Sequence, residues 1–354
     1  MLLFLPLTVL LTFSSLAFEG EAETDALYRV LSADNADRMR EIRQTTGYDF
    51  DNGVRVLVRN AWLSMDGILK NSLQTAARLL AVCLLCSAIS LWCADKTSVS
   101  VAAVNFTAVG TVLALGAVSV QGALEQMRRL LEELSAVSGA LLPSLTAAGV
   151  AAGNGGASVA QQGAALLMMN GVIVLFSNGF LPLVYAILAV RSAGILSQNA
   201  FLTRASAFVK NTVALAVRVI LSLSLGYLTV SGLIGHAADT LAKRAAKTAI
   251  SAGIPVVGGV LTDAAEAIYA AGALVKNTIG IFGLLAVLSC ALLPLLSVGC
   301  SYLCLRASAA LAMCLPDTGG REAVDALADA AGTVFALCAG ATALLLLTVI
   351  LCMR

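Results

Sequence analysis

The chain has 354 residues, of which 59% are hydrophobic and only 12% charged, with a net charge of +1 and a mean hydropathy of +0.91. Soluble domains carry about twice that charge fraction, so a soluble enzyme is excluded. Near-neutrality without a basic, aromatic-studded stripe excludes nucleic acid as a partner. The apolar residues fall in long, nearly uncharged blocks, each able to cross a hydrocarbon core of about 30 Å. The expected fold class is therefore all-α: a polytopic integral membrane helical bundle of about six or seven transmembrane helices, with amphipathic or re-entrant helices and the lipid bilayer as solvent.

The first residues read as a signal peptide over 1–17. An apolar stretch precedes Ser15-Leu16-Ala17, whose small residues suit cleavage after Ala17. Residues 18–75 are polar and mixed in charge and form the expected exported region. Within it, Arg55, Arg59, Asp66 and Lys70 share one helical stripe, and Val54, Leu57, Val58, Ala61, Met65, Ile68 and Leu69 fill the opposite face. That pattern fits a helix lying in the membrane interface and equally one packed on protein.

Residues 76–354 form the multi-span membrane domain. Spans are expected at about 76–93, 99–120, 164–190 and 209–233. The stretch from Leu274 to Met313 is too long for one crossing at about 1.5 Å per residue. With Pro294 near its middle, it reads as two spans, about 275–295 and 297–315. A last span at about 333–352 makes seven, with six as the rival count. Between the second and third spans, Arg128, Arg129, Glu132 and Glu133 mark an amphipathic helix that Pro143 and the glycines after it are expected to end. Residues 236–272 read as helix, turn, helix, with Gly253, Pro255, Gly258 and Gly259 at the turn, a candidate hairpin entering the membrane. A cleaved signal would put the 191–208 connection, with Arg191 and Arg204, on the inside; Lys243, Arg244 and Lys247 would then lie outside, so the positive-inside rule is split.

The nine cysteines lie in or beside apolar blocks, where a thiol behaves as a small hydrophobe, and no disulfide framework is read from them. The sole histidine, His236, offers no metal set. Walker A, HExxH and GxSxG patterns are absent, so no catalytic residue, cofactor or metal is expected, and the chain is not read as an enzyme. The ionisable residues at membrane depth carry more information. Arg218 near the middle of a span, Lys276 opening another, and Asp263 with Glu266 on one helical face either line an interior polar surface or stabilise helix packing. Small residues at Gly226, Gly232, Gly272, Gly280, Gly283, Gly332 and Gly340 permit close helix approach, compatible with a packed bundle or a homo-oligomer. Val209-Lys210-Asn211-Thr212 is echoed by Val275-Lys276-Asn277-Thr278, each opening a span.

Residues 239–283 read DTLAKRAAKTAISAGIPVVGGVLTDAAEAIYAAGALVKNTIGIFG. This segment resembles the signature region of the stage III sporulation protein AE family of endospore-forming bacteria. Lys247, Ala249, Ile250, Ser251, Ile254, Pro255, Val257, Gly258, Gly259, Asp263, Lys276, Asn277, Gly280 and Gly283 fall on the family pattern. The resemblance implies a multi-pass protein of the mother-cell membrane around the forespore. Its partners would be other stage III sporulation proteins, an ATPase and ring-forming subunits, in a channel linking the two compartments. It also adds Lys247, Pro255, Gly258, Gly259 and Asn277 to Arg218, Asp263, Glu266 and Lys276 as the candidate assembly or pathway residues. The competing expectation from the residues alone is a self-contained secondary permease for a small solute or peptide.

Overall fold

The computed structural model describes residues 28–46, 50–93, 98–151, 156–253, 258–314 and 318–353, with the side chains of 45–46, 90–93, 98–102, 104–105, 151, 156–159, 161–162, 228–229, 231–272, 275 and 318 outside the described set. Every regular element among them is helical: α1 (Ala33–Thr46), α2 (Phe50–Cys93), α3 (Ser98–Ala151), α4 (Gly156–Val174), a π-turn (Leu175–Phe180), α5 (Leu181–Leu196), α6 (Ala200–Gly253), α7 (Gly258–Ala312) and α8 (Thr318–Met353). Six stretches among the described residues are long and apolar enough to cross a membrane: Phe50–Ile89, Phe106–Val150, Gly163–Leu196, Ala200–Tyr227, Lys276–Ala312 and Gly319–Met353. The expected all-α bundle is the observed one, with six such helices rather than seven.

The difference lies at Pro294. Residues 275–295 and 297–315 are not two spans, because α7 runs unbroken through Pro294 to Ala312. Proline removes one i→i−4 bond and crowds one carbonyl, a defect that a helix packed along its neighbours can absorb. The length argument fails for a related reason: a helix of 55 residues need not end at the membrane boundary and extends about 80 Å. Pro143 behaves likewise, sitting inside α3, which continues to Ala151. The amphipathic stretch at 54–69 is not separate from the first span either. Both belong to the 44-residue α2, whose Leu57 and Ala61 are buried against the bundle while Val58 and Leu69 are exposed. The 164–190 span is broken internally. Pro182 near the start of α5 has no N–H to give, and the preceding turn widens to a π-helix, with the Leu181 N–H donating to the Phe176 carbonyl.

The core forms where α3 crosses the antiparallel pair α7 and α8. Leu124, Met127, Leu130, Leu131, Leu134, Leu141 and Leu145 of α3 are almost fully buried, as are Leu285, Ala286 and Val287 of α7 and Val334, Leu337, Cys338 and Leu345 of α8. Small residues allow the close contacts: Gly116 meets Leu327, Gly280 meets Met353, Gly283 meets Leu141, Gly332 meets Tyr302 and Gly340 meets Leu221, whereas Gly226 faces open space. By contrast, α6 turns Phe208, Leu215, Val219 and Leu223 outward. The most apolar helices, α7 and α8, are thus protein-enclosed, and α6 is the more lipid-like surface. The described cysteines are thiols rather than disulfides, and Cys83, Cys290, Cys338 and Cys352 are buried.

Candidate functional site

Five charged side chains from four successive helices converge at one end of the bundle. Asp325 and Asp329, four residues apart on α8, share a helical face. Arg191, in the last turns of α5, reaches both: its Nη2 lies 3.1 Å from Asp325 Oδ2, and its Nη1 donates to Asp329 Oδ2. From α6, Lys210 Nζ lies 2.7 Å from Asp329 Oδ2. From α7, Arg306 Nη1 donates to Asp325 Oδ1 at 2.7 Å and to Asp329 Oδ1 at 3.3 Å. Arg191 and Asp329 are 15% and 13% exposed, against 50% for Arg306, so the centre of the cluster is largely withdrawn from water and its edge is open. Three cations against two carboxylates leave one positive charge in excess. Partly buried pairs of this kind cost much to break, because the remaining partner is left charged and unsolvated.

The backbone that presents the cluster is built locally. Gly194 lets α5 pass close to α6: a Cβ there would lie 3.0 Å from the Thr203 backbone nitrogen and from Leu202 Cβ. Gln198 takes the left-handed conformation, φ 51, closing the turn, with the Asn199 N–H donating to the Gly194 carbonyl at 2.9 Å. Asn199 then caps α6 through its Oδ1, which accepts from the Phe201 N–H at 3.0 Å. A half-open cleft of about 680 Å³ lies beside this turn, lined by Phe106 and Val109 of α3, by the turn itself with Thr203 and Arg204, and by Gly319 and Glu322 of α8. No group of three or more histidine, cysteine or acidic residues placed to hold a metal occurs among the described residues. Chemically, the arrangement is an electrostatic clamp that fixes the ends of α5 through α8 to one another.

Away from the clamp, Asn35 of α1 is 7% exposed and its amide donates to Glu133 Oε2 of α3 at 2.9 Å, tying the first described helix to the core. Tyr28 packs edge-on to Phe282 there.

Of the residues singled out from sequence, Lys276 is buried at 5% exposure, one turn from the contact of Gly280 with Met353. Asn277 and Arg218 are exposed. Pro255 and the side chains of Lys247, Asp263, Glu266 and His236, together with the tip of the 236–272 hairpin, lie outside the described residues, as do the packing contacts of Gly258 and Gly259, which open α7. The structure therefore brings together a different set, Arg191, Lys210, Arg306, Asp325 and Asp329. Sequence reasoning noted Arg191 only as a loop cation and Lys210 only within an echoed tetrapeptide. The usable signal was the Asp325, Asp329 pair one turn apart at the head of an apolar helix, with cations at the ends of the other spans.

The family described as Stage III sporulation protein AE matches residues 55–354. A stage III sporulation protein AE from Bacillus subtilis (strain 168) is 30% identical over 161 residues, which cover 45% of this chain and 40% of that protein. The chain thus aligns with about two fifths of the curated relative's length. No solved structure matches it. With the family pattern running through five of the six apolar helices in full and nearly all of the other, the chain belongs to the stage III sporulation protein AE family, a sporulation protein with several membrane-type helices.

Proposed function

We propose that this chain is a membrane subunit of the channel complex linking mother cell and forespore, seated in the mother-cell membrane around the forespore. Its proposed partners are other stage III sporulation proteins, an ATPase and ring-forming subunits. The observation that carries this reading is the family match over residues 55–354, on a chain rich in apolar helices. In this reading the chain is not an enzyme: with no Walker A sequence, it would take any energy for transport from a partner. The clamp of Arg191, Lys210, Arg306, Asp325 and Asp329 serves it by holding four helices as one body under load.

The test is an in-frame deletion in the parent organism, complemented by the wild-type chain and by a charge-reversed chain carrying Asp325→Lys and Asp329→Lys. The expected result is arrest of forespore development in the deletion, rescue by wild type and failure of the reversed chain at an equal protein level. Normal spores in the deletion would contradict the reading. A deletion strain that sporulates but fails to take up one solute in vegetative cells would favour a permease instead.

A further inference from the structure

Parallel helices α6 and α8 keep one register along their contact: Lys210 Nζ lies 2.7 Å from Asp329 Oδ2, and further along Leu221 abuts Gly340. Carried back towards the helix starts, that register sets Arg204 level with Ala323, beside Glu322. Both charged side chains are exposed, and both line the half-open cleft of about 680 Å³ beside the turn between α5 and α6. Opposite charges that stand level at the clamp pair with each other. Arg204 and Glu322 instead form no ion pair or hydrogen bond among the described residues. The cleft is therefore bordered by a base on α6 and an acid on α8, each without a protein partner there.

The remaining wall is of two kinds. Phe106 and Val109 of α3 supply an apolar side, and Gln198 and Thr203 supply an amide and a hydroxyl. Apolar walls focus the field between the two charges. The shape is preformed: Gly194 holds α5 close against α6 and Asn199 caps α6, so little ordering opposes binding. The volume falls within the range of about 300–1,000 Å³ usual for small-molecule sites and far exceeds a single ion. Arg204 and Glu322 are the only charged residues among the described ones that line the cleft, so its lining is neutral. A plain anion or cation is attracted by one wall and repelled by the other, whereas a molecule carrying both charges satisfies both walls at once.

We propose that this cleft binds a short peptide with free ends, its carboxylate towards Arg204, its ammonium towards Glu322 and an apolar side chain against Phe106 and Val109. A guanidinium holds a carboxylate through two parallel N–H donors, and a carboxylate accepts readily from an ammonium. A lipid headgroup with a phosphate and an amine carries the same two charges. The amide of Gln198 and the hydroxyl of Thr203, however, suit a peptide bond, which such a headgroup lacks. Binding by the purified chain does not depend on the channel reading, so either can fail without the other.

The full chain is purified into nanodiscs of phosphatidylglycerol, which carries no amine, and titrated calorimetrically with trileucine, N-acetyl-trileucine and trileucine amide. The expected result is saturable binding of trileucine, weakened about tenfold or more by either cap through the loss of one charge-assisted contact. Arg204→Gln and Glu322→Gln should each weaken it to a like extent. Both residues are exposed, so neither change threatens the fold. Arg204→Glu combined with Glu322→Arg should restore the binding of trileucine, because a peptide can turn end for end in a cleft whose charges have been exchanged. No saturable binding to the wild-type chain, equal binding of the capped peptides, or no rescue by the exchange would overturn the proposal. Loss of peptide binding in discs containing phosphatidylethanolamine would assign the cleft to a lipid headgroup and overturn it as well.

Discussion

Asp329 accepts from Arg191 and Lys210 while only 13% exposed, so it should be the most sensitive member of the clamp. Asp329→Asn is expected to cost about 2–3 kcal/mol, somewhat less than the loss of one partner from a fully buried pair. Asp325→Asn, at 34% exposure, should cost about 1 kcal/mol, nearer the value for surface pairs. Thermal unfolding in detergent checks the order, and equal effects would show that burial is not what sets them. Arg191→Gln combined with Asp329→Asn should cost less than the sum of the single changes, because the two groups are in contact. Gly194→Val should destabilise by about 1–3 kcal/mol, since its side chain would run into Thr203 and Leu202; unchanged stability would mean that α5 and α6 can separate at no cost. None of the five clamp residues stands near another in sequence except the aspartate pair, so only the fold brings them together. The signature segment at 239–283 was, by contrast, legible as a family pattern because its residues are contiguous.

At the level of elements, composition and periodicity located every long apolar helix, and the errors were all boundaries. Pro143 and Pro294 were read as ends, yet α3 and α7 pass through them. Proline weakens a helix locally, and the packing of a long helix on both neighbours outweighs one lost hydrogen bond. The continuity of α7 has a direct consequence. Asn277 and Cys314, near the two ends of its apolar stretch Lys276–Ala312 and both exposed, should lie on opposite sides of the membrane. A cysteine placed at 277 and the native Cys314 should therefore react with an impermeant maleimide from opposite faces, in sealed vesicles of the two orientations. Reaction from the same face would restore two spans between them. The kink between α4 and α5 could not be read from periodicity, because a π-turn adds one residue without changing the apolar character of the run; Pro182 was its visible trace.

For the molecule as a whole, the two most apolar helices pack against each other and against α3, whose apolar face is buried in the core while its paired charges face outward. Hydropathy alone does not show this, because it ranks segments by composition and not by what covers them. The proposed function places this bundle in a larger assembly rather than as a free-standing carrier. The measurement that bears most directly on that reading is co-purification. The full chain, affinity-tagged and expressed from its own promoter, would be crosslinked in sporulating cells, solubilised and identified with its neighbours by mass spectrometry. Recovery of a sporulation ATPase and ring-forming stage III proteins, dependent on the intact Asp325 and Asp329 clamp, is the predicted result. Recovery of the chain alone, or only with itself, from cells whose sporulation requires it would contradict membership of the channel complex.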